Sequence, residues 1–470
     1  MRRAKIVATL GPKTRDAPSV RALIEAGVDV FRLNLAHENF DAHRSAALAV
    51  REQGRETNKV VGVLTDLPGP KMRTGPVIDD SVVLETGAGF TLTPEELEGD
   101  ERRVSTSVAD LARLVSEGDE IFLADGAIVL RVTSVQDGDV HTEVVRRGLL
   151  RSRKGIHVPG SEGQVEFFGH ADRAALEFAL SIGADFVGLS FVRNGDDVAT
   201  VLDALPKRGP KPNLVAKIET RSAVGSLDEI VERADVVMVA RGDLGIQTPL
   251  PRVPMLQKQI IRACNAAGTP VITATQMLES MTQSPLPTRA EIADVANAVL
   301  DGTDALMLSE ETAVGEHPVE AVRLMAETIE ATGPTPVYAP EAADVKDDRV
   351  SWAVAHAGVQ AALDLDVAAI LCPTRGGATP RRVAAFRPPM PIVGLSSRSE
   401  TLGALTMVWG VIPLAMEDLP EASTAGEDVE RVVSAARAAG LVTADDLVAV
   451  VAGSPGRRAG RTDYVRIVRA

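Results

Sequence analysis

The sequence predicts an α/β protein: a (β/α)₈ TIM barrel with an inserted small β-barrel lid domain and a C-terminal α/β domain. Three observations predict this fold. Eight short apolar runs alternate with segments that can be helical, short alternating runs interrupt that series once, and a smaller α/β pattern follows a linker. At 470 residues the chain is too long for one ordinary domain, although a barrel uses about 200 to 250 residues as a single unit.

The eight apolar runs are the strands of the predicted barrel. They read KIVATL, VFRLNLA, VGVLTDL, DFVGLSFV, NLVAKIE, VVMVAR, PVITATQM and ALMLSEE. Most are followed by a segment with helical spacing, such as TRSAVGSLDEIVERA. Apolar strands that alternate with helices indicate a parallel sheet covered on both faces, and eight such units indicate a closed barrel. We expect this barrel over residues 1–70 and 166–339.

The interruption lies between the third and fourth strands. Its runs, such as EIFLADG and IVLRVTSVQDGDVHTEVV, alternate between apolar and polar residues, and Asp-Gly dipeptides at 125–126 and 137–138 suit hairpin turns. We expect an inserted β lid over residues 71–165. After the eighth strand, TGPTPVYAPEAADVKDD has the composition of a linker. Residues 340–470 then form the predicted C-terminal α/β domain.

Charge and apolar content exclude several classes of partner. The formal charge is −15, and no run of lysine and arginine would make a basic stripe, which argues against nucleic acid. No apolar segment is long enough to span a membrane, and the apolar run near the start ends at a Gly-Pro pair, too early for a signal peptide. Cys264 and Cys372 lie in apolar surroundings. We expect a cytoplasmic protein with reduced structural thiols.

Lys217 and Glu219 stand at the end of the fifth apolar run. Residues i and i+2 of a strand point to the same side, and barrel enzymes build their active sites at the carboxyl ends of the strands. Both side chains are therefore predicted to project into the mouth of the barrel. A structural ion pair is the alternative, but burying such a pair costs desolvation that an apolar pair avoids.

The neighbouring strand ends carry further polar residues. They are Arg32, Asn34, Asp66, Arg241, Gly242, Asp243, Thr275, Ser309 and Glu311. Glu219 and Asp243, on adjacent strand ends, can hold a hard cation such as Mg²⁺, with Mn²⁺ as an alternative. Lys217 and Arg32 beside this metal would form a site for phosphate or carboxylate anions.

The motifs of this chain resemble those of pyruvate kinase from end to end. The most specific are MVARGDLG and ATQMLESM, and KIVATLGP, RLNLAH, GPKMRTG, KGIHVPG, AKIE and PTRAEIADVANAVLDGTDALMLSEETAVGEHP match in order and spacing. In the last domain, RPPMPIVGLS and WGVIP match as well. The resemblance implies a barrel, a lid and a regulatory C-terminal domain. It also implies phosphoryl transfer from phosphoenolpyruvate to ADP, giving pyruvate and ATP in glycolysis, and a homotetramer.

The resemblance also implies roles for the residues at the mouth of the barrel. Phosphoryl transfer needs positioning and charge stabilisation, so cations should surround the migrating group. Lys217 should lie at the phosphoryl group and the developing enolate, and Arg32 should bind the phosphate. The backbone from Arg241 through Gly242 to Asp243 should bind the substrate carboxylate, and Thr275 should lie near the carbon that is protonated.

Nucleotide binding is expected from both the lid and the barrel. Arg73 and Lys154 should reach the phosphates of ADP, Asn34 and His37 should lie close to the nucleotide, and Asp125 should help to close the lid. Other interpretations stay open. Lys154 can be a solvated loop charge, Asp125 a turn residue, and His37 a polar cap.

The chain departs from the family where many members bind potassium. Asn34 and Asp66 remain, but Ala36 replaces a serine, Leu67 replaces a threonine, and Lys71 stands where glutamate is common. An ammonium group can take the electrostatic role of potassium. We therefore predict that potassium is not required, because Lys71 supplies the cation. The alternative is that Lys71 is only a surface charge at the hinge of the lid.

Other departures and one turn of the C-terminal domain leave alternatives open. Glu310 and Leu286 replace a small residue and an arginine, respectively, and can affect a loop or a subunit contact. The turn CPTRGGATPRR precedes a predicted helix, where a phosphate of a sugar-phosphate or nucleotide effector can bind. Its residues are Thr374, Arg375, Gly376, Gly377 and Thr379. A tight turn between strand and helix needs glycines in any case, so a purely structural role is equally compatible with the pattern.

Three functions compete for the whole chain. The first is an active pyruvate kinase. The second is another Mg²⁺-dependent barrel enzyme acting on 2-oxo acids, such as an aldolase or lyase, which would need neither a nucleotide nor a lid. The third is a non-catalytic regulator, in which loss of Lys217, Glu219 or Asp243 would be expected. All three residues are present.

Overall fold

The computed structural model describes residues 2–36, 39–70, 72–108, 111–124, 126–160, 165–333, 348–417, 425–454 and 460–470. The chain begins with three strands and two helices of a barrel. They are β1 (Lys5–Thr9), α1 (Ala17–Ala26), β2 (Val30–Asn34), α2 (Phe40–Glu56) and β3 (Gly62–Asp66). Asp16 caps α1 by accepting a hydrogen bond from the backbone N–H of Ser19, and Asn39 caps α2 in the same way through Ala42.

In the described part of the segment inserted after β3, the chain forms nine strands. They are β4 (Met72–Arg73), β5 (Ser81–Leu84), β6 (Gly89–Thr93), β7 (Arg103–Ser105), β8 (Glu120–Leu123), β9 (Ile128–Gln136), β10 (Asp139–Arg146), β11 (Gly148–Arg151) and β12 (Gly155–His157). They pair as a seven-stranded sheet in the order β4-β12-β8-β9-β10-β6-β7 and a two-stranded sheet of β11 and β5. One apolar core, separate from that of the barrel, joins the two sheets.

The chain then returns to complete the barrel. The elements are α3 (His170–Ser181), β13 (Phe186–Leu189), α4 (Gly195–Ala204), β14 (Asn213–Ile218), α5 (Arg221–Gly225), α6 (Leu227–Arg233), β15 (Val236–Ala240), α7 (Arg241–Gln247), α8 (Val253–Ala267), β16 (Val271–Ala274), α9 (Arg289–Asp301), β17 (Ala305–Leu308), α10 (Glu310–Ala313) and α11 (Pro318–Thr332). The strands close in the order β1-β17-β16-β15-β14-β13-β3-β2, and every pair is parallel. The predicted eight-stranded barrel is confirmed.

The last elements form the C-terminal α/β unit. They are α12 (Arg349–Asp364), β18 (Ala369–Pro373), α13 (Ala378–Ala385), β19 (Ile392–Ser396), α14 (Ser399–Leu405), β20 (Val411–Ala415), α15 (Ala425–Ala438), β21 (Leu447–Ala452) and β22 (Tyr464–Arg469). Their sheet has the order β20-β19-β18-β21-β22, with only β22 antiparallel to its neighbour. Among the described residues, none of the helices combines the length and apolar composition that crossing a membrane requires.

The C-terminal unit packs against the amino ends of the barrel strands. One apolar cluster takes side chains from every barrel strand, and Met407 of the C-terminal unit completes it. Arg387 donates to both carboxylate oxygens of Asp304, at 2.8 and 3.0 Å, and its guanidinium stacks over Trp409. This packing leaves the opposite, carboxyl end of the barrel open beneath the inserted sheets.

Candidate active site

Arg32, Asp66 and Lys217 meet at the carboxyl end of the barrel. Asp66 ends β3, and its Oδ2 accepts hydrogen bonds from Arg32 Nη2 at 2.5 Å and from Lys217 Nζ at 3.1 Å. Both Asp66 and Lys217 are buried. Burial raises the pKa of Asp66, but the charges of Lys217 and Arg32 outweigh this effect and hold the pKa below its ordinary value. The carboxylate is therefore a shared anion between two cations.

The remaining contacts of Lys217 fix its ammonium group. Nζ lies 2.9 Å from Glu219 Oε1 and donates to Ser190 Oγ at 2.9 Å. Burial lowers the pKa of Lys217, but the charges of Asp66 and Glu219 outweigh burial and raise that pKa above its ordinary value. Lys217 is therefore a permanent positive charge at the mouth of the barrel.

Glu219 and Asp243 are the two carboxylates from which the sequence predicts a metal site. Burial raises the pKa of Glu219 to about 7, and the nearby charge of Asp243 contributes to this rise. Among the residues that the structure describes, no group of three or more histidines, cysteines, aspartates or glutamates is arranged to hold a metal. A pair of mutually repelling carboxylates fits Mg²⁺, which takes few protein ligands and completes its shell with water and substrate oxygens.

Thr275 lies beside the start of α7. Its Oγ1 accepts the backbone N–H of Gly242 at 2.8 Å and donates to the carbonyl of Ala274 at 2.6 Å. Thr275 and Gln276 both have a positive φ, at 69° and 54°. Left-handed backbone at non-glycine residues is strained and often marks a functional site.

The Arg241 side chain braces this strained segment. Its guanidinium donates to the carbonyl of Thr275 at 2.5 Å and forms an ion pair with Asp294 at 2.7 Å. The sequence predicts that the backbone from Arg241 to Asp243 binds substrate. The Arg241 guanidinium itself binds the backbone of the loop that carries Thr275.

Ser309 and Glu311 lie just after β17. Glu311 is buried and accepts the backbone N–H of Leu278 at 3.1 Å and that of Ser309 at 2.7 Å. Burial raises the pKa of Glu311. Its carboxylate ties the loop after Thr275 to the end of β17, which is a positioning function that the sequence pattern does not distinguish from a catalytic one.

A cleft separates the inserted sheets from the barrel at this end. From the insertion it is lined by Pro70, Met72, Phe122, Gly126, Gly155, Ile156, His157, Val158 and Val165, and from the barrel by Phe191, Asp243, Ile246 and Gln247. His157 Nδ1 and Gln247 Nε2 lie 3.3 Å apart across the cleft. The cleft brings the insertion within hydrogen-bonding distance of the helix that carries Asp243.

Arg73 lies in a different groove of the insertion. The groove is lined by Arg73, Thr74, Gly75, Pro76, Glu96, Leu97, Ser105, Thr106, Ser107 and Arg153. Arg73 Nη1 donates to the backbone carbonyl of Arg153 at 3.2 Å, and both arginines line the groove. The Lys154 backbone N–H donates to Thr74 Oγ1 at 3.0 Å, next to the antiparallel pair of β4 and β12.

Three predicted residues, His37, Lys71 and Asp125, lie outside the described residues. Of the predicted potassium ligands, Asn34 Oδ1 accepts the backbone N–H of Ala36 at 3.3 Å. The Leu67 side chain is buried.

The turn predicted to hold an effector phosphate joins β18 to α13. Thr374 Oγ1 accepts the N–H of Gly377 at 2.9 Å, and Thr379 Oγ1 lies 2.8 Å from Thr462 Oγ1. The Arg375 carbonyl accepts the hydroxyl of Thr401 at 2.7 Å, and no atom lies within 4 Å of a Cβ built on Gly376. Phosphate binding at this turn stays a prediction.

No role was predicted from the sequence for Ser190 or Asp172. Ser190 directly follows β13, so its position at a strand end was a signal that could have identified it. Asp172 lies within the first turn of α3, three residues after Gly169, where a carboxylate commonly binds backbone N–H groups. Both residues contact the segments that connect the barrel to the insertion.

Family models and known proteins match both the barrel and the C-terminal unit of this chain. A family model described as "Pyruvate kinase, barrel domain" matches residues 1–322, and one described as "Pyruvate kinase, alpha/beta domain" matches residues 352–468. The chain is 39% identical to the pyruvate kinase of Thermococcus litoralis, covering 99% of this chain and 98% of that protein. It is 38% identical to the pyruvate kinase of Thermotoga maritima, covering 100% of both chains. It is 39% identical to that of Mycobacterium tuberculosis, covering 100% of this chain and 98% of the relative.

These matches run through both the barrel and the C-terminal unit, and the relatives are covered almost completely. The chain is therefore a phosphotransferase that belongs to the pyruvate kinase family.

Proposed function

We propose that this enzyme transfers the phosphoryl group of phosphoenolpyruvate to ADP in a Mg²⁺-dependent step of glycolysis. The observation that carries the proposal is the buried Lys217 ammonium, held within 3.1 Å of Asp66 and 2.9 Å of Glu219, with Arg32 bound to the same carboxylate oxygen of Asp66. Phosphoryl transfer depends on positioned positive charge, because negative charge spreads over the migrating group. A fixed pair of cations at the mouth of the barrel meets that requirement.

Arg32 and Lys217 have different roles in phosphoryl transfer. Arg32 binds the phosphate of phosphoenolpyruvate, since a guanidinium offers several fixed donors to phosphate oxygens. Lys217 stabilises the phosphoryl group as its bond to the enol oxygen breaks and its bond to a terminal phosphate oxygen of ADP forms. The enolate left behind takes a proton at carbon and becomes pyruvate. In this proposal the Thr275 hydroxyl is near the carbon that is protonated.

Glu219 and Asp243 would hold the divalent cation, Mg²⁺ or alternatively Mn²⁺. When bound, the metal neutralises charge on the phosphoryl and enolate oxygens. The backbone of Arg241, Gly242 and Asp243 then orients the substrate carboxylate, and Arg241 keeps Thr275 in place through the carbonyl it binds.

The insertion serves as the lid over the nucleotide. Arg73 and Lys154 from the lid, with Asn34 and His37 from the barrel, bind ADP, and Asp125 helps to close the lid. The His157 contact with Gln247 supports lid closure against the barrel, because it already crosses the cleft. In this proposal the lid domain comprises residues 71–165, the barrel residues 1–70 and 166–339, and the regulatory domain residues 340–470.

The enzyme is further proposed to work without potassium. The Ala36 and Leu67 side chains provide no oxygen ligand, and the Asn34 side-chain oxygen is engaged by the N–H of Ala36. This leaves Asp66, already neutralised by Arg32 and Lys217, as the main anion of the predicted site. Lys71 supplies the positive charge that potassium would otherwise provide.

Assembly, location and regulation follow from the same proposal. A glycolytic member of this family is expected in the cytoplasm as a homotetramer. An effector with a phosphate, either a sugar phosphate or a nucleotide, would bind at the turn from Thr374 to Thr379.

The test is pyruvate formation from phosphoenolpyruvate and ADP, measured with and without Mg²⁺. Tetramethylammonium is first the only monovalent cation, and potassium is then added. Equal rates in the two salts support both the reaction and potassium independence. Pyruvate formation only in potassium would support the kinase activity but would reject the proposed role of Lys71. Lack of pyruvate formation in both salts would favour a non-catalytic regulator or an enzyme that needs its effector.

Ala36→Ser combined with Lys71→Glu tests the cation argument separately. This double variant restores a hydroxyl and an acidic side chain, so it should become dependent on potassium. Unchanged activity of the double variant in tetramethylammonium would reject the charge-substitution argument while leaving the kinase intact.

A further inference from the structure

The segment that enters the lid, Leu67 to Pro70, is attached to the barrel through Ser190. The Ser190 hydroxyl donates to the Leu67 carbonyl at 2.7 Å, and Ser190 is buried. Gly69 in this segment has a φ of +68°, and a Cβ built on it would lie 2.6 Å from Ser190 Cβ. Only glycine allows this approach with this backbone conformation. The entering segment is therefore fitted closely against Ser190.

The segment that leaves the lid, Val165 to Gly169, meets the entering segment at Asp172. One carboxylate oxygen of Asp172 accepts the N–H of Gly69 at 2.8 Å, and the other accepts the N–H of Gly169 at 3.3 Å. Asp172 is 4% exposed. An ionised carboxylate only accepts hydrogen bonds, so it can hold two N–H donors at once, which a carboxamide cannot do equally well. Asp172 thus joins both connections of the lid to helix α3.

Ser190 also contacts the phosphoryl-transfer site. Its Oγ accepts a hydrogen bond from Lys217 Nζ at 2.9 Å while it donates to Leu67. The next residue, Phe191, donates its backbone N–H to Glu219 Oε2 at 2.6 Å and has a φ of +58°. A continuous set of hydrogen bonds and close packing therefore runs from Lys217 through Ser190 to Gly69, and from Gly69 through Asp172 to Gly169.

We propose that Ser190 and Asp172 are positioning residues that couple Lys217 to the two connecting segments of the lid. Movement of the lid must rotate both segments about points that these side chains hold. Closure over the nucleotide is then linked to the position of the Lys217 ammonium group. The proposal rests on the proposed function, because it assigns the nucleotide to the lid. It adds the route by which the lid and the lysine affect each other.

The experiment compares Ser190→Ala, Asp172→Asn and the double variant by hydrogen exchange and by kinetics. Exchange at the amides of Gly69 and Gly169 should accelerate about tenfold in Asp172→Asn, since each amide loses a charge-assisted acceptor. The KM for ADP should rise about fivefold to tenfold, with a smaller change in the KM for phosphoenolpyruvate. Ser190→Ala should lower kcat and also accelerate exchange at Gly69. The two substitutions should be non-additive, because they act through one set of contacts.

Asp235→Asn is the matched control. Asp235 accepts the backbone N–H of Leu214 at 2.9 Å, at the start of the strand that ends near Lys217. Loss of the negative charge on this acceptor should lower the free energy of unfolding without a selective rise in the KM for ADP. Additive effects of Ser190→Ala and Asp172→Asn, or unchanged exchange at Gly69 and Gly169, would overturn the proposal. Exchange needs no catalysis, so it still tests the coupling if the wild-type chain forms no pyruvate. If Asp172→Asn does not fold, hydrogen exchange at the Gly69 amide in Ser190→Ala tests the proposal: faster exchange supports it, and unchanged exchange overturns it.

Discussion

Lys217 and Asp66 lie on β14 and β3, strands that are separated in the barrel by β13, yet Nζ and Oδ2 are 3.1 Å apart. Asp66 reaches this position because β13 has a glycine at the crossing. A Cβ built on Gly188 would lie 2.2 Å from Asp66 Oδ1. The glycine of β13 thus allows the carboxylate to reach across to the lysine.

Asp66→Asn should therefore damage both the site and the fold. The substitution removes the anion that Arg32 and Lys217 share and leaves the buried Lys217 ammonium and the half-buried Arg32 guanidinium less neutralised. Breaking a buried ion pair costs about 3 to 5 kcal/mol of stability, and displaced cations should lower kcat/KM about 100-fold. Denaturant unfolding and steady-state kinetics measure the two effects. Asp185→Asn, at the other end of the barrel, is the control, and equal losses of kcat/KM in both variants would contradict a local role for Asp66.

The sequence predicts those residues of the site whose positions follow from strand periodicity. Lys217 and Glu219 follow the i, i+2 rule, and the barrel brings them to Asp66 as its topology requires. The contacts of Ser190 and Asp172 with the backbone of the lid connections were not predictable, because the path of a loop has no periodic signature. The direction of the Arg241 side chain was also unpredictable, since it depends on Asp294 of a helix 53 residues further along the chain.

Lys217→Met should abolish phosphoryl transfer and leave metal binding intact. Loss of one positioned charge at a transition state lowers kcat by about 100- to 1,000-fold. Metal binding should persist, because Glu219 Oε1 is released from the ammonium that lies 2.9 Å away. Electron paramagnetic resonance of free Mn²⁺ measures binding, and pyruvate formation measures transfer. Lys207→Met, at an exposed lysine, is the control. Loss of Mn²⁺ binding together with activity would instead give Lys217 a role in organising the carboxylates.

Arg241→Met should release the strained segment at Thr275. The left-handed backbone at Thr275 and Gln276 costs about 1 to 3 kcal/mol per residue, and Arg241 offsets this by binding the Thr275 carbonyl. We expect kcat/KM for phosphoenolpyruvate to fall about 100-fold as the hydroxyl is displaced. Arg252→Met removes an exposed arginine next to α8 and should leave kinetics unchanged. A loss of stability in Arg241→Met without a change in kcat/KM would show that the brace is only structural.

Arg153→Ala tests whether the groove beside Arg73 takes part in nucleotide binding. Arg153 is exposed and lines the groove, and its backbone carbonyl accepts a hydrogen bond from Arg73. Loss of one exposed guanidinium should raise the KM for ADP about fivefold and leave the KM for phosphoenolpyruvate unchanged. Arg151→Ala, two residues away and also exposed, is the control. An unchanged KM for ADP would exclude Arg153 from nucleotide binding.

Gly403→Ala should destabilise the contact between the C-terminal unit and the barrel. In the interior of an ordinary helix, replacing glycine by alanine stabilises the protein by about 1 kcal/mol. Helix propensity alone therefore predicts a higher melting temperature for this variant. At Gly403, however, a new Cβ would lie 1.9 Å from Oδ1 of Asp185 and 2.5 Å from its Cγ. Asp185 is held by Arg51 at 2.8 Å and by the N–H of Val63 at 2.7 Å, so it cannot move aside freely.

Overpacking of this kind costs about 1 to 3 kcal/mol, which outweighs the gain in helix propensity. Scanning calorimetry should therefore show a lower melting temperature for Gly403→Ala. Gly376→Ala is the matched control, because a Cβ there meets no atom within 4 Å, and its melting temperature should not fall. A higher melting temperature for Gly403→Ala would mean that the interface can separate without penalty, and the C-terminal unit would then not be fixed against the barrel by this contact.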